Sequence, residues 1–143
     1  MRVTYLHLLP GSEPPSIDAL RPFKAVLVLD QAVPAEWQSR VSEWLVSSGC
    51  LYMMAWGVGC SSWDDSVDWA NLSAASFDEI HDDKFVMTTW HEHESLSETL
   101  WFAAHTAFHP RVPLDDLIII DIGPDERETQ VLAAYSAAQA LVD

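Results

Sequence analysis

The chain contains few basic residues, and this scarcity excludes two classes of partner. Only 7 of its 143 residues are Lys or Arg, against 22 Asp and Glu, which gives a net charge of −15 at pH 7. Proteins that bind nucleic acid displace counterions from the phosphates with basic side chains. Anionic membrane surfaces attract the same basic residues. We therefore expect neither nucleic acid nor a membrane among the partners.

Cysteine is scarce too, since Cys50 and Cys60 are the only two, and they are too few for a disulfide framework. They flank a predicted strand of about 20 Å, because a strand rises ~3.3 Å per residue, so they could bond only if the chain doubled back. Free thiols are typical of a reducing compartment. The sequence also shows no basic leader with an apolar core and no apolar run of membrane-spanning length. The expected location is the cytoplasm.

The residues that are plentiful predict a folded domain. Apolar residues make up 49% of the sequence and charged residues 20%, and seven Trp supply large side chains for a core. A chain of this length is near the usual size of one domain and can bury a substantial core. The prediction is a single α/β domain over residues 1–143.

Predicted strands alternate with predicted helices along the chain. Strands are expected at 2–9, 23–29, 50–56, 85–90 and 117–120, and helices are expected to open near residues 34, 64, 96 and 124. This alternation predicts βαβ units, with helices on both faces of a small, mostly parallel sheet of the Rossmann-like or flavodoxin-like kind. The first strand, within residues 1–9, is expected at an edge, and residues 10–22 form a Pro-rich connector.

Local signals predict how several elements begin and end. Gly49 stands where a left-handed helix C-cap is expected, and residues 60–63 are expected to form a loop before the second helix. Ser95 and Glu98 form a capping box at the start of the third helix. The helical period places Phe108 on the inner face of that helix.

In open parallel sheets, ligands bind at the carboxyl ends of the strands, where this sequence places His91 and His93. Two histidines could begin a metal site, although their spacing matches no specific metal motif. Oxygen ligands would come from the carboxylates Asp30, Asp64 and Asp121. His105 and His109, four apart on a predicted helix, are a weaker pair, because no acidic residue of the HExxH kind lies between them. We expect neither a tightly held metal nor a cofactor.

Acid-base or nucleophilic catalysis is a second interpretation of the same region. Cys60 or a neighbouring serine such as Ser62 would be the nucleophile, and His91 or His93 the base. Asp64 is a further catalytic candidate. The strand-to-helix loop at 57–62 could hold an anion with backbone N–H groups, but it lacks the GxSxG, GxGxxG and P-loop signatures.

A binding module is the third interpretation. Between residues 61 and 98 the chain has ten carboxylates and one lysine, and Trp63, Trp69 and Trp90 lie among them. Aromatic anchors surrounded by charge are typical of interface hot spots, and a negative surface favours a basic protein partner. The candidate binding residues are Asp30, Trp63, Asp65, Asp68, Trp90, Glu92 and Asp121. An inhibitor or immunity-type protein fits this description, and a homo-oligomer is compatible with it.

Two segments carry a resemblance to known proteins. SGCLYMMAWGVGCSSWDDSVDWANL, together with FVMTTWHEHESLSE, resembles an uncharacterised family of small acidic bacterial α/β proteins over about residues 22–122. This resemblance implies the fold and assigns no role to any residue. SSWDDSVDWA is also similar to the Ser-x-Trp helix of nucleotide-cleaving TIR-type domains, with Asp68 where those enzymes use Glu. A small hydrolase or nucleotide-processing enzyme therefore stands as the alternative to the binding module.

Overall fold

The computed structural model describes residues 1–141 and forms one sheet with four α-helices packed on it. The strands are β1 (Arg2–Leu8), β2 (Phe23–Leu29), β3 (Cys50–Gly57), β4 (Met87–Trp90) and β5 (Asp116–Ile122). The helices are α1 (Ala35–Ser48), α2 (Cys60–Ala74), α3 (Leu96–His105) and α4 (Glu128–Ala140). Within these residues no helix is both long and apolar enough to cross a bilayer.

All paired strands run parallel, in the order β1-β5-β2-β3-β4. The expected α/β class, the parallel sheet and the edge position of β1 are therefore confirmed. The order itself differs from the Rossmann order 3-2-1-4-5-6 and from the flavodoxin order 2-1-3-4-5. The difference arises because the last strand, β5, inserts between the first two strands of the chain.

Each face of the sheet buries its own apolar cluster. One cluster includes side chains of α1 and α2, and the other includes side chains of α3 and α4. Between β1 and β2 the Pro-rich connector takes the place of a helix. Its Ile17 is buried, and its Ser12 and Pro15 carbonyls each accept a 2.8 Å hydrogen bond, from the indole N–H groups of Trp37 and Trp44. The connector thus helps to cover the α1/α2 face of the sheet.

The local signals at Gly49 and Ser95 are confirmed. Gly49 caps α1 at φ 104°, and the side chains of Ser95 and Glu98 each accept a hydrogen bond from the other residue's backbone N–H. The predicted loop at 60–63 is wrong, because α2 already begins at Cys60, after Gly59 adopts φ 72°.

Other boundaries also differ from the prediction, since α4 begins at Glu128 and not near residue 124, and β5 spans Asp116–Ile122. β4 is shorter than residues 85–90, because Asn71 Oδ1 accepts the Val86 N–H at 3.0 Å, and ladder pairing begins at Met87. Phe108 is not on an inner helix face. α3 ends at His105, and Phe108 is 72% exposed.

Candidate functional site

The carboxyl end of the sheet contains a topological switch point between β2 and β5. The chain leaves β2 for α1 on one face and leaves β5 for α4 on the other face, an arrangement that opens a ligand crevice in many α/β proteins. Asp30 follows β2, and its N–H donates to the Ile122 carbonyl at 3.0 Å. A Cβ added to Gly123 would lie 2.8 Å from the Asp30 Cβ. The walls of this crevice are therefore close together.

Arg127 lies beside Asp121, whose side chain is fully buried. The guanidinium donates to both carboxylate oxygens, from Nη2 to Oδ1 at 2.6 Å and from Nε to Oδ2 at 3.2 Å. The Tyr5 hydroxyl donates to Oδ2 at 2.6 Å and accepts the Arg127 N–H at 2.9 Å. Arg127 Nη1 also lies 3.7 Å from Asp30 Oδ1. Both candidate aspartates at this switch point are thus already engaged by one cation of the same chain.

The pKa values in this cluster shift in the directions that its contacts require. Hydrogen bonding to Asp121 raises the pKa of Arg127, and the charge of Asp30 adds to this shift. Burial raises the pKa of Tyr5, and the hydrogen bond to Asp121 raises it further. Both shifts favour a charged arginine and a neutral tyrosine.

His91 also lies at the carboxyl end of the sheet, where its N–H donates to the Ala55 carbonyl at 2.9 Å. Its side chain is 4% exposed, and both ring nitrogens are engaged, Nε2 with Thr89 Oγ1 at 2.9 Å and Nδ1 with Glu94 Oε1 at 3.0 Å. The ring also packs edge-on against Phe102, with centroids 5.0 Å apart. In this arrangement His91 has no nitrogen left for a substrate or a metal.

The other catalytic candidates lie apart from that histidine. Cys60 is buried, and Ser62, on the surface, accepts a 3.0 Å hydrogen bond from Gln38 Nε2. His93 is 93% exposed at its side chain and lies 4.0 Å from Glu92. Among residues 1–141 no hydrogen bond joins Cys60 or Ser62 to either His91 or His93. The structure therefore does not bring a nucleophile and a base together.

Asp64 lies within α2 and is the one catalytic candidate with a group left unsatisfied. It is 6% exposed, and in the described part of the chain its Oδ2 has no hydrogen-bond partner. Burial raises its pKa, and the nearby charge of Asp68 raises it further. Thr88 Oγ1 donates to Asp68 at 2.8 Å. These carboxylates lie on the side of the sheet opposite to Phe102, with which His91 packs.

Neither proposed histidine pair is arranged as a metal chelate. Within the described residues no group of three His, Cys, Asp or Glu side chains could hold a metal ion. His105 ends α3 and contacts the Gln139 carbonyl through Nε2 at 2.8 Å. His109 lies beyond the helix, where its Nδ1 accepts the N–H groups of Arg111 and Val112, both at 3.1 Å, and its Nε2 donates to the Phe85 carbonyl at 2.8 Å. Its role is to hold a loop in place.

A cleft of about 620 Å³ lies at the opposite, amino end of the sheet, near the starts of β2, β3 and β4. Charged residues of both signs line it, namely Arg21, Asp78, Glu79, Asp83 and Lys84. A second cleft of about 480 Å³ shares the loop at 79–83 and includes Arg111, which pairs with Asp82 at 3.2 Å. Sequence reasoning missed both clefts because it considered only the carboxyl ends of the strands.

A third cleft, the α1/α2 groove, lies between those two helices and has a volume of about 440 Å³. Of the described residues that line it, Glu43 and Asp65 are acidic and none is basic. Trp69 also lines the groove and is 64% exposed. The ring of Phe77, itself 57% exposed, packs against Trp69 at a centroid distance of 5.1 Å and an angle of 60°.

The backbone after α2 sets the position of Phe77. The Ser76 N–H donates to the Ser73 carbonyl at 2.9 Å and the Phe77 N–H to the Leu72 carbonyl at 2.8 Å, which is the Schellman pattern. Ser76 and Phe77 both have positive φ angles, 54° and 58°, in positions where glycine is usual. Sequence reasoning identified Trp69 but not Phe77, because no periodic pattern marks this residue.

The proposed binding residues differ in what they can present to a partner. Trp63 is 2% exposed and packs in the core, and Asp121 is fully buried, so neither side chain reaches the surface. Trp90, at the end of β4, is 50% exposed. The remaining candidates are also exposed, namely Asp30, Asp65, Asp68 and Glu92.

The fold and this region together define a small five-stranded parallel α/β protein in which Arg127 pairs with the aspartates at the β2/β5 switch point. Residues 3–138 match the family described as Domain of unknown function (DUF7684), and the chain belongs to that family. The resemblance to an uncharacterised family is thereby confirmed. No curated protein and no solved structure matches the chain.

Proposed function

We propose that this protein is a cytoplasmic binding or regulatory module that docks a basic segment of a partner protein in the α1/α2 groove. An inhibitor or immunity-type role fits this activity. The observation that carries the proposal is the exposed pair of Trp69 and Phe77 at an acidic groove. The free thiols of Cys50 and Cys60 support a reducing, cytoplasmic location.

The aromatic pair has the properties of a binding anchor. Large aromatic side chains contribute much of the energy of protein interfaces when a partner covers them. Here Phe77 remains mostly exposed, although two successive residues adopt a left-handed backbone that costs roughly 1–2 kcal/mol for each non-glycine residue. Strain of this kind is concentrated at functional sites. We infer that the strain serves to hold Phe77 against Trp69, ready for a partner.

Charge determines which partner the groove suits. Glu43 and Asp65 line it without a basic neighbour in the lining, and Asp65 precedes Trp69 by one helical turn. A lysine or arginine of the partner can therefore pack its apolar stem or its cation against the Trp69 indole. Its charge can then pair with the carboxylate of Glu43 or Asp65. The net charge of −15 would also accelerate encounter with a basic protein.

The alternative, a small enzyme at the carboxyl end of the sheet, receives less support. Asp121 is engaged by Arg127 and Tyr5, and His91 by Thr89 and Glu94. A substrate would have to displace these contacts before meeting any catalytic group. The binding proposal requires no such rearrangement.

The test is capture of partners from a lysate of the native host with four immobilised variants. Wild type and the control Trp90→Ser should retain the same basic protein at low salt. Trp69→Ser and Asp65→Asn should lose it. High salt should weaken retention, because the Debye length falls from about 30 Å at 0.01 M to about 8 Å at physiological ionic strength. The proposal is contradicted if Trp69→Ser retains the basic protein as well as wild type does, or if only Trp90→Ser loses it.

A further inference from the structure

A buried lysine lies in the middle of the apolar sheet. All seven residues of β2 are buried, and Lys24 is the only charged one among them. Its side chain crosses to the end of α3, where Nζ donates to the Ala103 carbonyl at 2.5 Å and to the Ala107 carbonyl at 3.1 Å. The Ala103 carbonyl is one of those that the last turn of a helix leaves without an intrahelical partner, and the Ala107 carbonyl belongs to the loop that follows α3. Lys24 therefore caps α3 and uses two of its three N–H donors.

The third donor is not paired with an acid. Although the chain has 22 Asp and Glu, no carboxylate oxygen within residues 1–141 lies within 4.0 Å of Lys24 Nζ. Burial lowers the pKa of this lysine. The negative end of the helix dipole compensates the charge only in part. A buried cation in this position gains from an anion that reaches it.

A cavity of about 210 Å³ gives access to Lys24. Apart from Lys24, His109 and the N-terminal residue Met1, its walls are apolar, and the ring nitrogens of His109 are engaged as described above. Phe108, at the wall, is 72% exposed, with the centre of its ring 6.0 Å from Nζ. A lysine that served only as a helix cap would need neither the cavity nor an exposed aromatic ring beside it.

We propose that this cavity binds a small aliphatic carboxylate, with its carboxylate on Lys24 Nζ and its hydrocarbon chain against the apolar walls. One free donor suits a monoanion, whereas phosphate requires several donors. The volume of about 210 Å³ suits a short aliphatic acid such as pentanoate. The walls that would contact the chain include Ala104, Val112, Pro113 and Leu114. This site is independent of the α1/α2 groove.

The proposal is tested by titrating the full chain with sodium pentanoate while recording amide and lysine side-chain NMR signals. Pentanoate should shift the signals of residues 104–114 and of Lys24 in a saturable manner. 1-Pentanol, which has the same chain without the charge, and inorganic phosphate should both bind at least about tenfold more weakly, as loss of a charge-assisted hydrogen bond predicts.

Three variants locate the site. Lys24→Met should weaken pentanoate binding at least about tenfold, through the same lost hydrogen bond. Ala104→Leu fills the cavity and keeps the lysine, so it should weaken pentanoate binding by a similar factor. It also tests the site if Lys24→Met fails to fold. Arg40→Met removes an exposed cation on α1, at the opposite face of the sheet, and should change nothing. The proposal is overturned if millimolar pentanoate causes no saturable shift, if phosphate binds equally well, or if Ala104→Leu binds like wild type.

Discussion

Replacing Arg127 by methionine should destabilise the protein strongly, because it leaves the Asp121 carboxylate buried without its cation. The carboxylate is fully buried, and the guanidinium, 34% exposed, supplies two hydrogen bonds of 2.6 and 3.2 Å. Removing one partner of a buried pair costs about 3–5 kcal/mol. Because the arginine is partly exposed, we expect the free energy of unfolding to fall by an amount near the lower limit, ~3 kcal/mol.

The Tyr5 hydroxyl gives a second, smaller perturbation at the same carboxylate. Tyr5→Phe removes the hydrogen bond to the Asp121 carboxylate and the one accepted from the Arg127 N–H, and the loss of the first alone should cost about 1.5–3 kcal/mol. Asp121→Asn combined with Arg127→Met removes both charges of the pair at nearly constant shape. The double variant should therefore be more stable than the sum of the single losses predicts, by about 1–2 kcal/mol.

The assay is urea unfolding at pH 7, followed by tryptophan fluorescence and by circular dichroism. The matched control is Arg2→Met. The Arg2–Asp116 pair is equally short at 2.6 Å, but its side chains are 65% and 21% exposed, so its loss should cost about 0–1 kcal/mol. If Arg127→Met costs no more than Arg2→Met, or if the cycle shows no coupling, the cluster does not hold the carboxyl end of the sheet together.

Four smaller predictions concern single positions. Ser95→Ala should lower the free energy of unfolding by about 1 kcal/mol, because it removes the capping box of α3, and urea unfolding measures this. Ser76→Gly should raise it by about 0.5–1 kcal/mol, because glycine tolerates the positive φ, and a lower value than wild type would contradict the inferred strain. Cys50, whose pKa burial raises to about 12, should resist thiol reagents at pH 8 in the native protein and react after unfolding. The raised pKa of Asp64 means that its contribution to stability is present below its ordinary pKa of 3.8 and is lost as the pH rises through the folded value. Asp64→Asn should therefore be more stable than wild type at pH 7 and lose this advantage in acid, and a constant difference would contradict the assignment.

Local patterns were sufficient to predict the class of the fold. The buried run of β2 and the helical spacing in α1 each depend on neighbours in sequence, so the type of each element could be predicted. The position of β5 could not, because it depends on contacts between distant residues. Tyr5 and Asp121 are 116 positions apart, and their hydrogen bond joins the first strand to the last. No local sequence pattern indicates such a pairing.

The boundary errors have a similar origin. The helical period continued through Phe108, but α3 stops at His105, and His109 accepts two backbone N–H groups from the loop that follows. α2 begins before the expected position because Gly59 adopts a left-handed angle, which brings Cys60 into the first turn. In both cases a side chain or a backbone angle outside the apolar pattern determined the boundary.

Parallel strands also predicted which candidates share the carboxyl end of the sheet, because Asp30, His91 and Asp121 each lie at or just after a strand end. What the sequence did not reveal is that other residues already engage these groups. Arg127 and Glu94 had no recognised role in any pattern, yet their contacts decide whether the aspartates and the histidine are available. Whether a polar group is available depends on its partners in three dimensions.

The cluster at Asp121 therefore bears on function as well as on stability. At a switch point that binds a ligand, polar side chains are left free to contact that ligand. Here the contacts are short, buried and saturated, so stabilisation of the fold is their expected role. Groups that the fold leaves unused lie elsewhere, and they include the exposed aromatic pair on the α1/α2 groove and the third donor of Lys24 beside its cavity. Because binding requires surfaces and donors that the fold itself has not used, these two regions are where a partner protein and a small ligand are expected to bind.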